Sequence, residues 1–63
     1  MCLSTVYLTD ASGERTKVAD CITNVSVDGE TVTVTDIMGT STVLVGTILS
    51  VDLVGNTLVL AGK

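Results

Sequence analysis

Branching at Cβ constrains this chain more than any other feature: valine (11), threonine (11) and isoleucine (3) fill 25 of its 63 positions. A second heavy atom on Cβ costs a helix side-chain freedom and suits a pleated sheet, so the sequence predicts an all-β fold. No stretch carries a helical apolar period. Alternating segments instead predict seven short strands, at Leu3 to Thr9, Glu14 to Ala19, Ile22 to Val27, Glu30 to Thr35, Thr40 to Val45, Thr47 to Leu53 and Thr57 to Leu60. Between them lie turns at Asp10-Ala11-Ser12-Gly13 and at Asp36-Ile37-Met38-Gly39, the second unusually greasy, and breaks at Asp20-Cys21, Gly46 and Gly55-Asn56. Asp28-Gly29 is the strongest hairpin signal. Strands this short, at this spacing, protect their edges best in a small closed or partly open barrel. No linker or low-complexity stretch divides the chain, so residues 1–63 read as a single domain.

Burial is the difficulty for such a domain. Ordering 63 residues costs on the order of 95 kcal/mol. Apolar burial at about 25 cal/mol per Å² offsets that only if nearly all of the 46% of residues that are apolar are fully buried. With no proline and one aromatic ring, a lone chain of this size is marginal, and burial against a second copy predicts a homodimer or higher oligomer.

Charge and missing residue types narrow the function. The absence of histidine removes the Ser-His-Asp and Cys-His nucleophile pairs and the Cys₂His₂ zinc site, which argues against an enzyme. Apolar runs stop at four residues (58–61), against about 20 for a membrane helix, and no basic stretch follows Met1 as in a secretory signal. The expected location is cytoplasmic, with both cysteines as thiols and the Asn24-Val25-Ser26 glycosylation pattern without meaning. RNA binding by a small barrel needs a basic groove and stacking aromatics. Here the net charge is −4, and only Arg15, Lys17, Lys63 and Tyr7 are on offer, so nucleic acid is the runner-up partner. The carboxylates fall mostly at turns, and Asp28-Gly29-Glu30 lacks the twelve-residue series of a calcium loop.

Cys2 is the first candidate for chemistry. Its thiolate and its own backbone nitrogen can close a five-membered chelate around one ion, and two such chelates meeting on a two-fold axis make an S₂N₂ set of the kind that suits Ni(II) or Cu(II). The competing reading is a small strand residue. Cys21, beside Asp20 in an irregular junction, reads as a semi-buried filler, and pairing it with Cys2 would still leave zinc short of two ligands. Tyr7 and Leu3 share the face opposite Val6 and Leu8, where Tyr7 suits either an interface or the protomer's own core. Ile37 and Met38 suit a contact patch for a larger protein or a plug for the barrel end.

Three stretches carry a resemblance. Met1-Cys2-Leu3-Ser4-Thr5-Val6-Tyr7, Thr35-Asp36-Ile37-Met38-Gly39 and the closing segment from Ile48 to Leu60 together resemble the CooT family of small nickel-binding proteins, in order, spacing and chain length. The resemblance implies a homodimeric SH3/Sm-like barrel in which Ni(II) is held by the cysteine after the initiator methionine, here Cys2. It further implies an accessory role, a metallochaperone's delivery or storage of nickel for maturation of carbon monoxide dehydrogenase, and so a nickel enzyme as client. Cys21 is not part of the pattern.

Overall fold

The computed structural model describes residues 4–62. Five strands, β1 (Ser4–Thr9), β2 (Arg15–Asp28), β3 (Thr31–Asp36), β4 (Ser41–Asp52) and β5 (Thr57–Gly62), close into a barrel in chain order. Neighbours pair antiparallel except at the seam, where β1 and β5 run parallel with Thr5 opposite Thr57 and Thr9 opposite Ala61.

The all-β expectation holds, and the count of seven strands does not. Two pairs of predicted strands are each one long, bent strand. In β2 the break expected at Asp20-Cys21 is a corner: Cys21 takes a left-handed conformation (φ 54). The register shifts on both sides of it, between Val6↔Ala19 and Ser4↔Ile22 toward β1 and between Ile22↔Asp36 and Asn24↔Thr35 toward β3. A bulge of this kind bends a strand and raises its twist without ending it. The first half of β2 therefore pairs with β1 and the second half with β3.

Gly46 does the same for β4, whose residues 41–45 pair with β3 and whose residues from Gly46 onward pair with β5. Gly46 is buried, its N–H donates to the carbonyl of Glu30 at 2.8 Å, and a Cβ there would run into the carbonyl oxygen of Ala61. A glycine that reads as a separator is thus required by close backbone approach at a corner. Strands that pass from one sheet to another through such bends are how crossed sheets share their corners.

The core is small. Val6, Ile22, Val32, Val34, Leu58 and Leu60 form it, with Leu8, Val18, Ala19 and Leu44 packed against them. Alternation decides membership: Val32 and Val34 point inward while Thr31, Thr33 and Thr35 are only half-buried, as the period of two dictates. Val6 and Leu8 share one face of β1, as expected, and that face is the inner one. Tyr7, on the other face, is half-buried opposite Lys17 on β2 and Val59 on β5. Val59 is buried outside the core cluster. The β2–β3 hairpin forms one residue later than expected: Asp28 pairs with Thr31, and Gly29 (φ 60) with Glu30 makes the loop. Glycine at that first central position is what a type II′ turn selects.

Candidate metal centre

Cys2, the residue predicted to hold the metal, lies outside the described residues, as does Leu3. What the structure gives is the frame from which that segment departs. Ser4 stands opposite Ile22 at the β2 corner, and the Thr5 N–H donates to the carbonyl of Asn56 at 2.9 Å. The start of β1 is therefore held between the corner of β2 and the β4–β5 turn. The β3–β4 turn reaches the same corner, since the N–H of Ile37 donates to the carbonyl of Cys21 at 3.0 Å. Cys21 is exposed and forms no disulfide among the described residues, and Ile22, one residue on, is the buried one. The semi-buried role expected for Cys21 belongs to its neighbour. Its backbone makes the corner.

Acidic side chains are spent on turns. In the β1–β2 turn the Asp10 carboxylate accepts the N–H of Ser12 at 2.9 Å, the Ser12 hydroxyl at 2.6 Å and the N–H of Glu14 at 3.0 Å. The Ser12 hydroxyl above all, and then the Glu14 N–H, hold the Asp10 carboxyl below its ordinary value. Asp36 accepts the N–H groups of Met38 and Thr40, both at 2.9 Å. Asp52 accepts those of Val54 at 3.0 Å and Gly55 at 2.8 Å. These are the side-chain-to-backbone bonds for which aspartate is favoured in turns. No group of three or more Cys, Asp or Glu side chains suited to a metal ion exists among the described residues.

The described residues offer RNA little. Arg15 and Lys17 are exposed on β2, but Lys17 lies 3.3 Å from the Asp20 carboxylate, and the lone ring, Tyr7, is half-buried in the outer face. No helix of the described residues is long and apolar enough to cross a membrane.

Residues 1–61 match the family model described as the carbon monoxide dehydrogenase accessory protein CooT. The chain belongs to the CooT family. The crystal structure assigned to CooT from Carboxydothermus hydrogenoformans superposes with a TM-score of 0.86 at 14% identity, covering 98% of each chain. At that identity the likeness speaks for the fold. No curated protein matches in sequence. Membership in CooT describes an accessory protein rather than a catalyst, and ties this chain to carbon monoxide dehydrogenase maturation.

Sequence reasoning missed one feature of the turns at this end of the barrel. Ile37 and Met38 stand out as greasy for a turn, but Leu53 and Val54, assigned to a strand end and its margin, occupy the equivalent positions of a second turn with the same Asp-x-x-Gly pattern. The recurrence of that pattern at Asp10, Asp36 and Asp52 is the signal that reveals it.

Proposed function

We propose that this chain is a cytoplasmic nickel-binding accessory protein, an SH3/Sm-like barrel that works as a homodimer, with Ni(II) held between protomers by Cys2 of each. It would serve delivery or storage of nickel for the maturation of carbon monoxide dehydrogenase. The observation that carries the reading is the imbalance of burial. Among the described residues eleven large hydrophobic side chains are exposed and seven hydrophobic residues are buried. Interior packing of one protomer leaves most of the burial that the sequence demands unmet, and a second copy is the partner of matching composition always present.

The donor chemistry supports the same arrangement. A thiolate with its own backbone nitrogen chelates one ion, and two chelates related by a two-fold axis complete a four-coordinate S₂N₂ set. Each protomer then needs only one amino-terminal cysteine. Binding displaces protons from the donors, so affinity rises with pH.

Titrating Ni(II) into the wild type, Cys2→Ala and Cys21→Ala while following sulfur-to-nickel charge-transfer absorption tests the site. The band is expected in the wild type and in Cys21→Ala, at one ion per two chains, and is expected to vanish in Cys2→Ala. Equal binding by Cys2→Ala rejects the assignment.

A further inference from the structure

The molecule contains its own control experiment on turn composition. Three segments share the pattern Asp-x-x-Gly: Asp10-Ala11-Ser12-Gly13, Asp36-Ile37-Met38-Gly39 and Asp52-Leu53-Val54-Gly55. In each, the aspartate carboxylate accepts the N–H two residues on, at 2.9, 2.9 and 3.0 Å. The first two match further. Each closes with Gly N–H to Asp carbonyl at 3.0 Å and Asp N–H to the carbonyl four residues on at 3.0 Å, and each holds its glycine at positive φ (87 and 86). One backbone scaffold therefore carries Ala-Ser in one place and Ile-Met in another. Nothing in the turn itself calls for large apolar side chains.

Position separates the turns as composition does. The Ala-Ser turn lies at the far end of β1, beyond Thr9. The two apolar turns flank the beginning of β1: one is bonded through Ile37 to Cys21, whose neighbour Ile22 pairs with Ser4, and the other is bonded through Asn56 to Thr5. Their anchor points, Cys21 on β2 and Asn56 just ahead of β5, lie on either side of β1. Ile37 is 61% exposed, Met38 85%, Leu53 83% and Val54 94%. These are among the barest side chains of a protomer that already lacks burial.

We infer that these four side chains form the rim by which a second copy of this chain seats on the first. The inference rests on the proposed function and names the face that function uses. Fully burying such side chains corresponds to about 60–120 Å² each, so the four offer roughly 300 Å² per protomer at their observed exposure. That is the scale of the dry centre of an interface taking about 800 Å² from each partner. An apolar rim also suits a self-contact for a chain of net charge −4, because like-charged copies associate best through uncharged surface. Asp36 and Asp52 are occupied with backbone N–H groups of their own turns.

The test transplants the dipeptide that the scaffold already holds. Ile37→Ala with Met38→Ser, and Leu53→Ala with Val54→Ser, are made separately and together in the full chain; Val43→Ser with Val45→Ser alters an exposed apolar stretch elsewhere on β4. Molar mass is followed by sedimentation over a concentration series and nickel by its charge-transfer band, with far-UV circular dichroism as the check on folding. A second variant, Met38→Lys with Val54→Lys, guards against an accidental loss of fold. The four-residue variant is expected to be a folded monomer, its dissociation constant raised at least about 100-fold, with a weakened nickel band although Cys2 is intact; the β4 variant is expected to stay dimeric. If both rim variants remain dimeric, or if dissociation follows Val43 and Val45 instead, the rim assignment falls while Cys2-dependent nickel binding leaves the proposed function standing. A monomeric wild type that binds nickel without Cys2 overturns both.

Discussion

The turn at Asp10 and the turn at Asp36 have the same backbone bonds and opposite surfaces. Both close through a carboxylate that accepts the N–H two residues on and a glycine in the left-handed region. The first presents Ala11 and Ser12 to solvent, and the second presents Ile37 and Met38. The contrast separates two demands that sequence usually confounds. Asp and Gly answer to the conformation of the turn, and the two residues between them are left open to whatever the surface has to do. The third member departs in an instructive way: at Asp52 the left-handed position falls to Asn56 (φ 55), one residue beyond the glycine, yet the apolar pair is retained.

The comparison supposes that both ends of the barrel hang on one frame, and the strongest way to break it is at that frame. Gly46→Ala forces a Cβ against the Ala61 carbonyl, backbone against backbone, with no flexible side chain to give way. A loss of about 3 kcal/mol or more is expected, read by urea denaturation, and the apolar and polar turns should be lost together. A cost below about 1 kcal/mol means that β4 can straighten at this corner.

Smaller and more discriminating is the set Asp10→Ala, Asp36→Ala and Asp52→Ala. Each removes the acceptor of at least two N–H groups in a turn, so each should lower the melting temperature by several degrees, about 5 °C. Only Asp36→Ala and Asp52→Ala should also weaken the proposed dimer, measured by sedimentation. Equal weakening by Asp10→Ala removes the distinction between the ends.

The smallest effect concerns the polar turn alone. The Asp10 carboxyl titrates below its ordinary value of 3.8, so its contribution to stability is fully present above that value and is lost as pH falls through the lower, folded one. Wild type should therefore exceed Asp10→Asn in melting temperature near neutral pH, with the gap closing below about pH 3.8. A gap that persists in stronger acid assigns the effect to something other than the carboxylate.

Much of the barrel was legible because its causes are local. β-branching fixed the class, and the period of two placed Val32 and Val34 inside and set Val6 and Leu8 on one face of β1. The strand count failed at Cys21 and Gly46 for one reason: a corner inside a strand and a turn between strands use the same residues, and only pairing partners distinguish them. A cysteine with φ of 54 has no sequence signature, since cysteine, unlike glycine or asparagine, has no local preference for that conformation and takes it here at a bulge of the sheet. The family was legible from three stretches, and the model match over residues 1–61 bears it out. The rim was half legible, because Leu53 and Val54 extend an apolar strand in sequence and leave it only in space.

The parallel seam carries a consequence for the life of the chain. Thr5 is joined to Thr57, and Val6 to Leu58, so the beginning of β1 acquires one of its two neighbours only after more than fifty further residues have been made. Pairings that span so much chain are slow to form and come late. A growing polypeptide therefore carries β1 with one edge open, and the ribosome has made β5 before that edge can be closed.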